Sequence, residues 1–144
     1  GNKSVGTGYE SDFDIAQAFG EIGFPVCGLP FKLFGDYLKN TCAKSSEDTG
    51  YLIGAAIGKC KKPGSWQFAY NYRELDADAV IGALTEGTFG GGGSNVKGHA
   101  LSVGYQLAKN VQLAGSYFIA ERTNSSTNVT TDHDVVLVDL KFKF

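Results

Sequence analysis

The sequence predicts an all-β fold, an antiparallel up-and-down meander that closes into a β-barrel of about eight strands. Large apolar residues alternate with small or polar ones at a period of two along several stretches. The 144 residues include 20 Gly, 10 Phe and 7 Tyr, but only 3 Pro and no Met, a composition that favours strands and turns. No apolar run approaches the ~20 residues that a membrane-spanning helix needs. We therefore expect one β-barrel domain over residues 1–144, either complete or the C-terminal part of a longer barrel.

Seven stretches of the chain have the alternation expected of strands. The clearest is Val135–Phe144, whose even positions are all apolar and whose odd positions become charged at Asp139, Lys141 and Lys143. The seven predicted strands span residues 13–20, 31–37, 51–58, 66–73, 100–107, 111–122 and 135–144. Because single-chain bacterial barrels have an even number of strands, we expect an eighth strand from Lys3–Glu10, from Thr85–Gly90 or from a second chain.

The connections between these strands alternate between short and long. Short turns fall at residues 25–28, 61–65 and 108–110, and longer polar loops fall at residues 40–49, 74–95 and 123–131. A meander places the two kinds at opposite rims, as outer-membrane barrels do. In the longest loop, Leu75–Leu84 breaks the strand period and predicts one or two helical turns with Asp76 or Asp78 as the N-cap. Gly90–Gly93 predicts a flexible stretch beside it.

The period of two separates two faces but does not say which face is inside. In a membrane barrel the large apolar face meets lipid and the small polar face lines the lumen. In a soluble barrel of the lipocalin or fatty-acid-binding type, the large residues would instead line an interior that holds an apolar ligand. The segregated loops and the aromatic C-terminal residue favour the membrane arrangement.

Two sets of candidate residues follow from this separation. The large apolar face, facing lipid or lining a ligand cavity, is predicted to carry Phe31, Leu33, Tyr37, Phe68, Tyr70, Leu101, Val103, Tyr105, Leu113, Tyr117, Val138, Leu140 and Phe142. The candidate pore-lining residues, whose opposed charges would tune ion selectivity, are Asp14, Lys32, Asp36, Asn71, Arg73, Arg122, Asp139 and Lys141.

The sequence gives little indication of a catalytic or metal-binding site. The formal net charge of −2 gives no basic patch for nucleic acid. His99 and His133 open different strands, and the Asp pairs at 12/14, 76/78 and 132/134 are best interpreted as solvated loop carboxylates. We therefore expect no enzyme activity, no cofactor, no metal and no nucleic-acid partner.

Three cysteines are too many for one disulfide and too few for two. Cys27 and Cys60 lie at the rim of the short turns, whereas Cys42 lies a strand length away, at roughly 33 Å for ~10 residues. That separation far exceeds the ~7 Å between Cα atoms that a disulfide tolerates. Any intrachain disulfide is therefore predicted to join Cys27 to Cys60 and to leave Cys42 free.

Several motifs resemble those of the putative bacterial porin family. They are WQFAYNY at 66–72, DAV at 78–80, TFGGGGSNVKGH at 88–99 and YQLAKNVQL at 105–113, with FKLFGDYLKNT and TGYLIGAAIGK upstream. The resemblance runs from about Phe13 to Phe144 and corresponds to the C-terminal portion of longer family members. The chain departs from that pattern in its length, in its three cysteines and in lacking a visible signal peptide at residues 1–10.

The resemblance implies an outer-membrane β-barrel for passive diffusion of small solutes, or a fragment of one. Its partners would be outer-membrane lipid, the barrel assembly machinery and small solutes, and a homo-oligomer is also allowed. Phe144 matches the terminal aromatic signal that the assembly machinery reads in this class. The alternatives are a periplasmic or soluble barrel with an apolar ligand, and a structural fragment without a transport role.

Overall fold

The computed structural model describes residues 1–143, so Phe144, the predicted assembly signal, lies outside the described residues. The fold is all-β, with a seven-stranded antiparallel sheet and a separate two-stranded sheet. The strands are β1 (Ser4–Val5), β2 (Gly8–Tyr9), β3 (Ile15–Val26), β4 (Leu29–Asn40), β5 (Thr49–Gly58), β6 (Trp66–Leu75), β7 (Val96–Ala108), β8 (Val111–Asn124) and β9 (Val129–Phe142).

The large sheet is a meander in sequence order, from β3 to β9, with every neighbouring pair antiparallel. The predicted topology is confirmed, including the position of β8 between β7 and β9. The first strand runs further than predicted, to Val26, because the turn needs only Cys27 and Gly28. These two residues have φ angles of 49° and 77°, and two central residues at positive φ match the twist of a tight hairpin.

The prediction of an eighth strand from within the chain is wrong. Residues 3–10 form the β1–β2 hairpin, which pairs only with itself, and residues 85–90 contain no strand. Within residues 1–143, β3 and β9 do not pair with each other, so the sheet is open at both edges. The short strands β1 and β2 are held at the loop rim by side-chain contacts instead of by the large sheet.

Two local predictions also differ from the structure. The helical segment predicted at Leu75–Leu84 is only a 3-10 turn at Gly82–Leu84, and its N-cap residue Ile81 makes no side-chain capping bond. The alternation of Phe13, Ile15 and Phe19 with smaller residues predicts that these three lie on the large apolar face. Phe19 instead pairs with Asp36 and therefore lies on the polar face. The apolar face of β3 carries Ile22 and Phe24 instead, both further along the chain than the predicted strand.

The short and long connections do segregate to opposite rims. The short-turn rim holds residues 27–28, 59–65 and 109–110, and the long-loop rim holds residues 41–48, 76–95 and 125–128. Cys27, Cys42 and Cys60 are all free thiols in the structure, so the pairing predicted for any intrachain disulfide, Cys27 with Cys60, stays a prediction.

The long-loop rim is held together by one buried carboxylate. Asp78 is fully buried and accepts hydrogen bonds from the Lys3 backbone N–H at 3.1 Å, the Ser11 hydroxyl at 3.1 Å and the Ser45 hydroxyl at 2.9 Å. Its backbone carbonyl accepts a further bond from the Asn40 side-chain amide at 2.8 Å. Asp78 is therefore neither the helix cap nor the solvated carboxylate that the sequence predicted. It joins the N-terminal segment, the 41–48 loop and the 76–95 loop.

We expect Asp78→Ala to destabilise the rim by roughly 3 kcal/mol, because three donors in a buried site lose their acceptor. Urea unfolding of the refolded protein would measure the free energy, and limited proteolysis would show faster cleavage in the 41–48 loop. Asp12→Ala is the matched control, since Asp12 is exposed and should change stability by less than about 0.5 kcal/mol. Equal effects of the two substitutions would contradict the role of Asp78.

Candidate pore face and its inward loop

The strand register assigns every side chain of the large sheet to one of two faces. Directly paired residues share a face, so Phe68 of β6 lies beside Val103 of β7, and Leu113 of β8 lies beside Leu140 of β9. All the residues predicted for the large apolar face lie on this same face: Phe31, Leu33, Tyr37, Phe68, Tyr70, Leu101, Val103, Tyr105, Leu113, Tyr117, Val138, Leu140 and Phe142. Nothing in residues 1–143 covers much of it, and Val138, for example, is 73% exposed.

The opposite face, called the polar face below, carries small and charged residues. The candidate pore-lining residues on it are Lys32, Asp36, Asn71, Arg73, Arg122, Asp139 and Lys141. Asp14 differs, because it precedes β3 and its backbone is tied to the rim by bonds with the Asn40 side chain and the Thr41 backbone. The structure therefore brings together all the candidates except Asp14 on one face.

The 76–95 loop folds inward over the polar face. Its residue Phe89 is 3% exposed and packs edge-to-face against Phe118, with ring centroids 6.3 Å apart. The two rings form a small hydrophobic core with Val96, Ala100 and Ala120, and Leu75, Val135 and Leu137 pack against it. Phe118 lies midway along β8, so the loop reaches about half the depth of the sheet. The sequence gives only an indirect signal of this, because Phe118 alternates in phase with Gln112, Ala114 and Ser116 and is the one large apolar residue among them.

A charged contact holds the same loop from the side of β6. The Arg73 guanidinium lies over the Phe89 ring, 4.0 Å from its centroid, and its Nη1 forms an ion pair with Glu86 Oε2 at 3.0 Å. Glu86 also accepts a hydrogen bond from the Thr88 hydroxyl. That bond and the ion pair lower the pKa of Glu86 below its ordinary value of 4.5, against the opposing effect of partial burial.

The glycines of the loop allow it to lie close to the sheet. Gly90, Gly91, Gly92 and Gly93 all have positive φ angles, between 60° and 92°. A Cβ atom on Gly90 would lie 2.3 Å from the Val96 side chain, which is too close for any other residue. The stretch predicted to be a flexible linker is therefore a specific left-handed turn packed on the polar face.

Opposed charges lie across the polar face below the loop. Asp36 of β4 and Arg73 of β6 are separated only by Leu52 of β5 in the register. Asp36 Oδ1, Asn71 Oδ1 and Arg73 Nε are buried and have no hydrogen-bond partner among the described residues. These two opposite charges therefore lie two strand spacings apart on the same face of the sheet.

Two further observations concern membrane helices and metals. The described residues, 1–143, contain no helix whose length and apolar character would let it cross a bilayer. The same residues contain no group of three or more His, Cys, Asp or Glu side chains placed to hold a metal ion.

Comparison with known proteins gives one match. A family model described as "putative porin" matches residues 6–144, which is essentially the whole chain. No curated protein and no solved structure matches the chain significantly. The match agrees with the meander topology, with the segregation of loops to one rim and with the uncovered apolar face. The chain belongs to the putative porin family.

Proposed function

We propose that this chain forms an outer-membrane β-barrel channel for passive diffusion of small solutes, or a part of one. The observation that carries the proposal is the difference between the two faces of the sheet. The large apolar residues are uncovered, while the longest loop packs on the small polar face, as expected if that face lines a lumen. Its partners would be membrane lipid, the barrel assembly machinery and the solutes, and no enzyme activity is proposed.

The height of the apolar face supports this proposal. On β8 the apolar face runs from Val111 to Ile119 before Glu121 introduces a charge. Eight steps at ~3.3 Å span about 26 Å along the strand, or about 20 Å along the membrane normal at a tilt of about 40°. Membrane barrels carry an apolar band of about 25 Å flanked by aromatic residues. Trp66 toward the short-turn rim and Tyr72 toward the long-loop rim suit such flanking positions.

The soluble-barrel alternative fits these features less well. In that arrangement the large face would be the interior, and Glu74, Lys97 and Glu121 on this face would point into it near the long-loop rim. At a membrane boundary, in contrast, such charges would reach the headgroups and water. The Gly, Ala and Ser residues of the polar face leave room for the loop inside a ring.

Closure of the ring needs additional strands. In a meander of seven antiparallel strands, the first and last, β3 and β9, run in the same direction. Direct pairing of β3 with β9 would be parallel. Pairing of β9 in one copy with β3 in a second copy of the same membrane orientation would also be parallel. An all-antiparallel ring therefore needs an odd number of further strands, whose first and last members run opposite to β3 and β9.

A pair of single-tryptophan variants tests which face meets lipid. In a Trp66→Phe background, Val138→Trp places the indole on the apolar face and Asp139→Trp places it on the polar face. In vesicles whose acyl chains are brominated, we expect quenching of the fluorescence at position 138 and little at position 139. The reverse order, or a protein that stays in solution beside the vesicles, would contradict the proposal.

Substitution of Phe89 tests whether the loop narrows the lumen. Loss of a buried Phe ring costs about 3–5 kcal/mol of packing, so Phe89→Ala should release the loop from the polar face. Single-channel recordings in planar bilayers should then show larger currents than the unaltered protein does. Leu84→Ala is the control in the same loop, because Leu84 is 83% exposed. Unchanged current in Phe89→Ala would mean that the loop does not limit flow.

The Arg73–Glu86 ion pair predicts an acid-dependent channel. Because folding lowers the pKa of Glu86 below 4.5, the stabilisation from its carboxylate is present above pH 4.5 and is lost as the pH falls through the lower folded value. We expect the current to rise over that acidic window as the loop loosens. Glu86→Gln should give the looser loop at neutral pH and remove this dependence, whereas Glu121→Gln should retain it. An acid response that persists in Glu86→Gln would assign it to another group.

A further inference from the structure

Arg122 is a half-buried basic side chain of the polar face that forms no ion pair among residues 1–143, whereas Lys141, the other unpaired basic candidate on that face, is exposed to solvent. Lys32 is paired with Glu21 at 3.1 Å, and Arg73 is paired with Glu86 at 3.0 Å. Arg122 is half-buried and forms no ion pair or side-chain hydrogen bond with residues 1–143. A partly desolvated guanidinium without an anionic partner is costly, and a bound anion would offset that cost.

The surroundings of Arg122 offer room for such an anion. An open cavity of about 440 Å³ lies between the N-terminal segment and the 76–95 loop, and Thr85, Gly91, Gly93 and Arg122 contribute to its lining. The volume is in the range of small-molecule sites, ~300–1,000 Å³. The walls are mostly backbone, so a solute can approach the guanidinium closely.

The glycines beside Arg122 leave space that any side chain would fill. A Cβ atom on Gly93 would lie 3.2 Å from Arg122 Nη2. A Cβ atom on Gly91 would lie 3.7 Å from Arg122 Nη1 and 3.3 Å from His133 Cε1. Arg122 and His133 therefore flank one point on the loop, although they come from neighbouring strands, β8 and β9.

We propose that Arg122, with His133 beside it, binds the oxyanion group of a small solute, a carboxylate or a phosphate, at the long-loop mouth of the polar face. The proposal deepens the channel function and rests on it, because it names the class of solute that the mouth would select. A guanidinium matches a carboxylate or phosphate with two parallel hydrogen bonds, and an imidazole supplies a third donor. The glycine turn keeps the site open on the side where the solute would enter.

Binding can be measured without transport, by equilibrium dialysis of the detergent-solubilised protein against radiolabelled inorganic phosphate. We expect saturable binding that succinate displaces. Arg122→Gln should weaken it by at least about tenfold, the effect of losing a charge-assisted bond. Arg122→Lys should lose less, because the positive charge remains. Lys109→Gln is the control, since Lys109 is exposed in the short turn at the opposite rim and should leave binding unchanged.

Two outcomes would overturn this inference: absence of saturable phosphate binding, or equal binding by the Arg122→Gln variant. Adding phosphatidylglycerol to the micelles distinguishes a lipid headgroup from a free solute, because displacement of phosphate by the lipid would assign the site to the headgroup and overturn the solute assignment. Planar-bilayer recordings separate the two proposals. Normal currents without phosphate binding would leave the channel standing and remove the subsite, whereas binding without currents would remove the channel.

Discussion

The constraint on which the structure depends is the period of two in side-chain direction along paired strands. Each direct pair shares a face, so the register that places Phe68 beside Val103 also places Ala69 beside Ser102 on the other side. A slip of one residue in any strand would bring charges onto the apolar face and large rings onto the polar one. The two surfaces, one suited to lipid and one to a loop and water, are therefore consequences of a single register.

The sequence was informative where this period holds without interruption. The alternation from Val135 to Phe142 and from Trp66 to Arg73 predicted strands, faces and antiparallel neighbours, because side-chain direction in a strand is a local property. The alternation did not predict the structure correctly where contacts between distant parts of the chain determine a strand's end or its register. Phe19 was assigned to the wrong face because it is larger than the neighbouring Ala18 and Gly20, yet the register places those small residues on the apolar face and Phe19 on the polar face. The end of β3 was missed because residues 25–28 were interpreted as the turn, whereas Pro25 and Val26 belong to the strand and pair with Pro30 and Leu29.

The candidate site was predicted in part for the same reason. The pore-lining candidates within strands lie on one face, since alternation alone places them there, but the inward loop could not be derived. Phe89 and Phe118 are far apart in sequence, and nothing local in TFGGGG indicates that its glycines adopt a left-handed turn against Val96. The sequence predicted the same pore-lining role for Arg73 and Arg122. In the structure Arg73 forms an ion pair with Glu86 of the loop, whereas Arg122 lines an open cavity. That difference exists only once the loop has been placed.

The buried Asp78 has a consequence for the order of folding. The meander needs only pairing between consecutive strands, so each hairpin can form as its own local event. The Asp78 carboxylate, in contrast, accepts hydrogen bonds from Ser11 and Lys3, which are separated from it by 67 and 75 positions in the chain. Closing such long loops costs chain entropy that is recovered only when the intervening strands are already in place. The seven-stranded sheet is therefore expected to form early, and the arrangement of its long-loop rim is expected to form last.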